Sequence, residues 1–307
     1  MPTIERVAEG CILGEGPHWD ASTQSLFLVD VPGRQILKYT PSTNKLTKAP
    51  VEKQPSFIIP VEGKINEFVI SQGNELVVVF WDGETEDVKI LQNISKVATS
   101  VEIPNYFNDA KCDSSGRLWT GTVSIAADIF KTQPLGTLYS VDATKQLKSH
   151  VDKIYVSNGI AFNDKIKKMF YVDSLGGGVD QFDFDVTTAT ISNRIPWFDL
   201  QKLGIPGIVD GMTIDSDGNL WVAVSRGSRV LKIDGYKAQT LLDTINFPTQ
   251  KVTSVAFGGA NLDELYVTTG HMVYDETKPR DPAAGAIYRV TGLGVKGIPA
   301  VNFRLSV

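Results

Sequence analysis

The sequence predicts an all-β fold, a six-bladed β-propeller with four antiparallel strands in each blade. Short runs of β-branched and aromatic residues, which favour strands, recur along the 307 residues and alternate with clusters of turn-forming residues. The pattern repeats roughly every 40–50 residues, which is typical of a repeat architecture. No stretch keeps the apolar spacing of an amphipathic helix. We therefore expect a single domain over residues 1–307 with few, short helices.

Residues 209–245 show the repeating unit most clearly. An apolar segment that contains Asp210 is followed by the turn sequence DSDGN, in which Gly218 can adopt a positive φ. The runs LWVAV, VLKID and AQTLLDTI follow, and these complete the four short strands of one blade. DSDGNL also resembles the start of an EF-hand loop. Because Arg226 stands where that loop needs a glutamate, we interpret the segment as a hairpin turn.

The same unit begins five more times along the chain. The starting residues are Glu15, Ser56, Asn108, Asn158 and the pair Thr253–Ser254. The last unit lacks an obvious fourth strand. We therefore expect one end of the chain, either residues 4–10 or the segment near the C-terminus, to supply that strand and close the ring.

Composition and charge exclude several classes of protein. The net charge is −5 and the 30 basic residues are dispersed, which argues against nucleic-acid binding. No window is apolar enough to span a membrane, and residues 1–20 do not resemble a secretory signal. Cys11 and Cys112 match no metal motif, so we expect them to be thiols in a reducing compartment. These features predict a cytoplasmic monomer that binds neither nucleic acid nor membranes.

The first residues of the six units predict a metal site. The first strand of each blade lines the central channel, so equivalent residues converge at one end of it. All of them carry a side-chain oxygen, which suits a divalent cation: Glu15, Ser56, Asn108, Asn158, Asp210 and Ser254. Taken singly, Glu15 is typical of a solvated charge and Asp210 of a turn cap. In register, Glu15, Asn158 and Asp210 are candidate metal ligands, and Asp210 is also the candidate general base.

Substrate recognition is expected on the same face as the metal. Strand direction puts the insertions 125–135 and 271–285 on that face, and long loops on a rigid scaffold usually carry recognition. Asn108 could bind the metal through water or could bind substrate. His271 could contact substrate or transfer a proton, or it could be an ordinary loop residue. Together these residues predict a small-molecule site at one end of the channel.

Five motifs together resemble the senescence marker protein/gluconolactonase/luciferin-regenerating enzyme family. They are GEGPHWD, NDAKCDSSGRLWTGT, SNGIAF with FYVDS, VDGMTIDSDGNLWVAV and TSVAFGGANLDELYVT, and in this order they cover nearly the whole chain. The resemblance implies a six-bladed propeller with one divalent metal on the channel axis. It implies Glu15, Asn158 and Asp210 as the metal ligands and Asn108 as a substrate contact.

Two departures from the sugar-lactonase members of that family bear on the substrate. Their Arg-Phe-Asn-Asp motif reads Tyr106-Phe107-Asn108-Asp109 here, and a sugar-binding glutamate in those members falls near Ala126. Tyr106 offers a planar apolar face in place of the charged donors of an arginine. We therefore expect Tyr106 to bind a flat aromatic substrate rather than an aldonolactone.

The resemblance also implies a metal-dependent enzyme. The sequence AIYRVTGLGVKG near the C-terminus and the chain length are most similar to members that convert oxyluciferin to 2-cyano-6-hydroxybenzothiazole. Lactone hydrolysis is the alternative reaction, and a calcium-binding regulatory protein without turnover is the alternative outside catalysis. We expect calcium as the cofactor, with magnesium, manganese or zinc as other candidates.

Overall fold

The computed structural model describes residues 2–100, 104–124, 131–272 and 281–306, which form short β-strands joined mostly by tight turns. In chain order the strands are β1 (Thr3–Ala8), β2 (Gly14–Asp20), β3 (Ser25–Asp30), β4 (Gln35–Thr40), β5 (Lys45–Pro50), β6 (Ile58–Pro60), β7 (Glu67–Gln72), β8 (Glu75–Phe80), β9 (Lys89–Lys96), β10 (Tyr106–Cys112), β11 (Leu118–Val123), β12 (Gly136–Val141), β13 (Leu147–Ile154), β14 (Ser157–Asn163), β15 (Lys168–Asp173), β16 (Gly178–Asp185), β17 (Thr190–Phe198), β18 (Ile208–Ile214), β19 (Leu220–Ser225), β20 (Arg229–Ile233), β21 (Leu241–Asn246), β22 (Lys251–Gly258), β23 (Glu264–Gly270) and β24 (Ile287–Thr291). A 3₁₀ turn spans Gln201–Leu203. No helix in the described ranges is long and apolar enough to cross a membrane.

Hydrogen bonding divides the described strands into five sheets. Four of them are antiparallel meanders of four consecutive strands, β2–β5, β6–β9, β10–β13 and β14–β17. The fifth sheet has eight strands, β18–β24 and β1, and a single residue pair, Ser225 with Lys251, joins β19 to β22. The all-β, propeller-like arrangement is therefore confirmed, whereas the separately hydrogen-bonded sheets number five rather than the expected six.

The N-terminal segment completes the last group of four strands. β1 pairs antiparallel with β24, with Thr3 opposite Thr291. Of the two ends considered from the sequence, the N-terminus is the one that supplies this strand. Closure by an added strand covers an edge that would otherwise expose unpaired backbone groups.

The first strands of successive groups contact one another around a central channel. Ser56, just before β6, donates its hydroxyl to the carbonyl of Asn108 in β10 at 3.0 Å. Asn108 Nδ2 donates to the carbonyl of Ser157 in β14 at 2.7 Å. Thr253 Oγ1 in β22 donates to the carbonyl of Gly14 in β2 at 2.6 Å, which returns the ring to its start. Side chains thus tie first strands together without a shared backbone ladder.

Glycine follows three of the predicted site residues because neighbouring first strands approach closely there. A Cβ atom on Gly159 would lie 2.5 Å from the Cβ atom of Met212, which is closer than real carbon atoms pack. The corresponding contacts are Gly16 with Ser56, Gly159 with Met212, and Gly211 with Ser254. The pairs Glu-Gly, Asn-Gly and Asp-Gly in the sequence therefore reflect contacts between strands as well as turn chemistry.

Aspartates at the ends of two first strands anchor the next strand. Trp119 Nε1 donates to Asp113 Oδ2 at 2.8 Å, and Trp221 Nε1 donates to Asp215 Oδ2 at 3.0 Å. Asp215 Oδ1 also accepts from the backbone N–H of Asn219 at 2.8 Å. The DSDGNL segment is thus the hairpin turn between β18 and β19 that the sequence predicted.

The chain after β24 crosses the end of the ring at which the first strands finish. Gly297 donates its backbone N–H to the carbonyl of Leu262 at 2.7 Å, and Phe303 donates to the carbonyl of Pro60 at 2.9 Å. β6 has only three residues, and the fully buried Phe303 packs in the hydrophobic cluster beside it. The C-terminal segment therefore fills the space that a short first strand leaves open.

Candidate metal centre

Irregular pairing in the first strands positions the predicted site residues. Asn108, Asn158 and Asp210 each lie within a register shift between the first and second strands of a group. Glu15 is the residue at which a similar shift begins in β2. A bulge of this kind re-aims side chains and increases local twist, and it is frequent beside active sites. The strands can therefore direct these polar groups into the channel while their apolar residues stay in the core.

Glu15 and Asp210 lie close enough for their charges to interact. Burial is the main cause that raises the pKa of the Glu15 carboxyl well above its usual range, and the negative charges of Asp210 and Asp109 raise it further. Burial also raises the pKa of Asp210 well above its usual range. Lys251 opposes this rise and Asp109 adds to it. Both side chains keep some accessible surface, so they line a channel rather than a closed core.

Asn158 contacts one of these two carboxyls, that of Asp210. Its side chain hydrogen-bonds the Asp210 carboxyl, and its Nδ2 donates to Ser174 Oγ at 2.9 Å. The structure therefore brings Glu15, Asn158 and Asp210 together, as the sequence predicted, although their role as ligands stays a prediction.

This donor set fits a divalent cation. Two like charges at this depth repel each other, and a cation between them would favour the ionised form of both carboxyls. The described residues contain no group of three or more histidine, cysteine, aspartate or glutamate side chains that could hold a metal ion. The candidate centre has only two such side chains, so it depends on the amide of Asn158 and on water or substrate.

Asn108 and Tyr106 share a cleft of about 770 Å³ beside the channel. Asn108 Nδ2 donates one hydrogen to the Ser157 carbonyl, so the side-chain oxygen of Asn108 is left for another partner. Tyr106 is 43% exposed, so its ring is accessible to a ligand in this cleft. Arg34 and Lys53 line the same cleft, and the Lys53 ammonium is paired with Glu75 at 2.6 Å. The cleft beside Asn108 therefore combines an aromatic ring, an amide and basic side chains that could contact a ligand.

The two serines in the predicted ring serve contacts between strands. Ser56 Oγ lies 2.7 Å from Ser71 Oγ and donates to the Asn108 carbonyl at 3.0 Å. The Ser254 side chain packs against Gly211, and the register shift in β22 falls on Thr253, one residue earlier. The Ser56 hydroxyl is therefore engaged by neighbouring strands, and the Ser254 side chain is packed against the glycine after Asp210.

His271 directly follows β23, where the backbone turns towards the segment before β2. Its backbone N–H donates to the carbonyl of Ile12 at 3.0 Å. A Cβ atom built on Gly285 would lie 3.3 Å from His271 Nε2. Residues 125–130, which include Ala126, and residues 273–280 lie outside the described ranges. Roles of His271 and of the two insertions in substrate binding stay predictions.

Two charged residues beside the candidate centre were not singled out from the sequence. Asp109 acts electrostatically on both Glu15 and Asp210, and Lys251 lowers the pKa of both. Asp109 directly follows Asn108 within the irregular pairing of β10, so its position in the repeat could have drawn attention to it. Lys251 begins β22, and its approach to β18 depends on how neighbouring groups of strands pack.

Comparison with known proteins shows similarity along most of the chain. The SMP-30/Gluconolactonase/LRE-like region matches residues 13–271. Regucalcin of Danio rerio is 34% identical over 293 residues, which cover 95% of this chain and 94% of that protein. A solved luciferin-regenerating enzyme is 43% identical, with a TM-score of 0.94, and the match covers 99% of this chain and 100% of that chain.

A more distant solved structure agrees in fold alone. It is a calcium-binding protein, regucalcin from Agrobacterium tumefaciens, with a TM-score of 0.82 and 21% identity. The match covers 98% of this chain and 97% of that chain. The arrangement of strands is thus retained where most side chains differ.

Proposed function

Because this chain belongs to the SMP-30/gluconolactonase/LRE-like family, we propose that it is a metal-dependent enzyme that converts oxyluciferin to 2-cyano-6-hydroxybenzothiazole. The observation that carries this proposal is the cleft beside Asn108, where Tyr106 presents an accessible aromatic face. The 43% identical solved structure is described as a luciferin-regenerating enzyme, which supports the same activity.

Glu15, Asn158 and Asp210 would hold one divalent cation. We propose calcium because every donor is an oxygen, and the Agrobacterium relative described as calcium-binding supports this choice. Magnesium and manganese accept similar donors, whereas zinc sites more often use histidine or cysteine. When bound, the cation supplies Lewis-acid chemistry, the polarisation of a substrate oxygen or of water.

The side chains of this protein would orient the substrate and move protons. The Asp210 carboxylate is the proposed general base and accepts a proton from water, since burial and Asp109 raise its proton affinity. Asn108 offers its amide oxygen and second N–H to the polar edge of the substrate, and Tyr106 stacks on its ring. By atom balance the conversion consumes one water and leaves a two-carbon mercapto acid beside the nitrile.

Lactone hydrolysis is the second candidate, because Arg34 lines the same cleft as Tyr106. A guanidinium group can donate several hydrogen bonds to a hydroxyl-rich substrate. In that reaction a water oxygen bonds to the carbonyl carbon, and the ring carbon–oxygen bond breaks. The proton accepted by Asp210 returns to the leaving oxygen. A third candidate, calcium binding without turnover, requires only the two carboxyls and the amide.

We also propose that the eight-stranded sheet represents two blades joined at the Ser225–Lys251 pair, which would make six blades in all. Each half repeats the order of the separate four-stranded sheets. A cytoplasmic monomer with a small aromatic substrate remains our expectation.

The test is turnover of three substrates by the full chain with calcium or with a chelator. We expect kcat/KM to be highest for oxyluciferin, lower for dihydrocoumarin as an aromatic lactone, and lowest for gluconolactone. Chelation should abolish all turnover, and added calcium should restore it. Highest activity on gluconolactone would support lactone hydrolysis as the function. Calcium binding without any turnover would support a calcium-binding regulatory protein.

Asp210→Ala and Asp217→Ala form a matched pair for this test. Asp217 is an exposed aspartate in the turn after β18, at the opposite end of the same strand. We expect Asp210→Ala to lose both calcium binding and turnover, and Asp217→Ala to retain both. Equal turnover by the two variants would contradict the proposed centre.

A further inference from the structure

A second cavity lies at the opposite end of the channel from Glu15 and Asp210. It has a volume of about 100 Å³ and is lined by residues of five first strands, β2, β10, β14, β18 and β22. We call it the distal cavity. Four of these strands contribute the residue three positions after their residue in the metal-end ring, and β22 contributes the residue two positions after Ser254; the five are His18, Lys111, Ala161, Thr213 and Ala256. The distal cavity is therefore a second ring of the same repeat.

The irregular pairing explains how one strand can serve both ends of the channel. Side chains alternate between the two faces of a strand, so residues three positions apart normally face opposite ways. An extra residue between them restores the phase. In β10 the register shift falls between Phe107 and Ala110, which separates Asn108 at one end from Lys111 at the other. Both side chains therefore reach the channel.

Lys111 brings an uncompensated cation into the distal cavity. Among the described residues its ammonium group has no hydrogen-bond or ion-pair partner. Burial is the main cause that lowers the pKa of Lys111, because the apolar surroundings disfavour the charged form. The negative charge of Asp109 acts in the opposite direction without forming an ion pair. An anion inside the cavity would complete this interaction.

The exposed carboxylate of Asp164 also lines the distal cavity, and the buried groups around it include an unpaired donor. Trp19, which lines it, has a buried indole N–H without an acceptor in the described residues. The one imidazole, His18, is already bonded through Nε2 to Asn302 Oδ1 at 3.1 Å. Phe162 and Phe257 contribute apolar walls. Such a site suits a ligand with an acceptor-only anionic head and an apolar body.

Residues 298–302 form a strap across the distal cavity. Gly297 and Phe303 anchor its two ends through backbone hydrogen bonds to other parts of the ring. The described hydrogen bonds include none from the backbone N–H groups between these anchors. Ile298 is about half exposed on the outside and lines the cavity on the inside. Between its anchors the strap is bonded through the Asn302 side chain to His18 at 3.1 Å, so local opening breaks this bond and no backbone bond among the described residues.

We propose that the distal cavity binds a small organic carboxylate, with its carboxylate on Lys111 and its apolar body against Phe162 and Phe257. The volume is below the roughly 150 Å³ of a cavity that holds benzene, so a short chain fits the closed cavity and a single ring fits once the strap 298–302 has moved outwards. A charge-assisted hydrogen bond in this setting is stronger than one between neutral groups. The ligand enters when the strap opens, and it binds independently of the metal.

Benzoate is the probe that tests this site. Full-length protein with calcium present is titrated with benzoate and, separately, with neutral benzyl alcohol, by calorimetry. The fluorescence of Trp19, which lines the cavity, supplies a second readout. Because hydrogen bonds to a charged group dominate selectivity, we expect benzoate to bind about ten- to a hundredfold more tightly than benzyl alcohol. Failure of wild-type protein to bind benzoate saturably would overturn the proposal.

Lys111→Met and Lys64→Met are the matched variants. Methionine has a similar length, and it removes a buried charge, so Lys111→Met should fold, which circular dichroism checks. Lys64 is exposed in the turn after β6 and has no role in the cavity. We expect benzoate affinity to fall about ten- to a hundredfold in Lys111→Met and to be unchanged in Lys64→Met. Equal affinities would contradict the site.

A third variant keeps the test decisive if Lys111→Met does not fold. Ile298→Glu changes a half-exposed strap residue and adds a negative charge to the cavity wall. We expect Ile298→Glu to lower the affinity for benzoate more than the affinity for benzyl alcohol. Asp210→Ala should bind benzoate with wild-type affinity. Loss of binding in Asp210→Ala alone would place benzoate at the metal end and overturn the proposal.

Discussion

The two ends of the central channel are built by the same strands, yet they have opposite charge. The metal end has the carboxyls of Glu15 and Asp210, whereas the distal end has the ammonium of Lys111 in an apolar cavity. The two rings lie two or three positions apart along the five strands that contribute to both. The repeat therefore determines where a side chain points, and the residue chosen at each position determines what it can bind.

The largest expected effect is at the metal end. Asp210→Ala should abolish turnover, because it removes both a ligand and the general base, while the fold survives since the residue lines the channel. Asp210→Asn should retain part of the metal affinity and lose about 10²–10⁴-fold in kcat. Calorimetric calcium titration and kcat measured on the same preparations separate the two roles. Full turnover by Asp210→Asn would remove the general-base role and leave the ligand role standing.

The close packing of β18 against β22 at Gly211 should be disturbed by a single added methyl group. Gly211→Ala would place a Cβ atom against the side chain and backbone of Ser254, so we expect a loss of about 1–3 kcal/mol in the free energy of unfolding. Ser254→Gly should restore part of this loss, because it removes the overlapping side chain. Denaturant unfolding of the single and double variants measures the coupling. Additive effects would show that the two strands do not meet as described.

The metal end should also show a pH dependence that calcium removes. The raised pKa values of Glu15 and Asp210 mean that the metal-free folded state keeps protons which the unfolded chain releases near its ordinary pKa of about 4. The stability of metal-free protein therefore falls as pH rises from about 4 through the raised pKa values. Bound calcium relieves the repulsion.

We accordingly expect the calcium-induced rise in Tm to be larger at about pH 8 than at about pH 5, as calorimetry can measure. Asp210→Asn should flatten this difference, and Asp217→Asn should leave it intact. A calcium effect that shrinks as pH rises would contradict the assignment of the two carboxyls.

The smallest expected effect concerns the cleft beside Asn108. Tyr106→Arg should lower kcat/KM for an aromatic substrate by about 2- to 10-fold, through loss of stacking worth about 0.5–1.5 kcal/mol. It should raise kcat/KM for gluconolactone, because the guanidinium group adds charged donors. Tyr236→Arg, at an exposed tyrosine after β20, is the control. If Tyr106→Arg changes neither substrate, Tyr106 does not contribute to specificity.

Much of the fold could be read from local patterns. The DSDGNL segment is the predicted hairpin because Asp215 bonds the backbone of its own turn. Glu15, Asn158 and Asp210 could be aligned because each lies near the start of a strand and precedes a glycine. The serines could not be excluded as ligands in the same way. Ser56 is engaged by Ser71 and by the Asn108 carbonyl, and no local pattern encodes those partners.

The sequence by itself determined the strands, the turns and the position at which polar residues enter the channel, since side-chain alternation and turn chemistry act over a few residues. Only the tertiary structure decided which charges oppose each other. Lys251 acts on Asp210 because two groups of strands meet there, and Lys111 lies in a cavity where the described residues supply it with no ion-pair partner. Electrostatic interactions depend on distance in space and on burial, and neither is set by spacing along the chain.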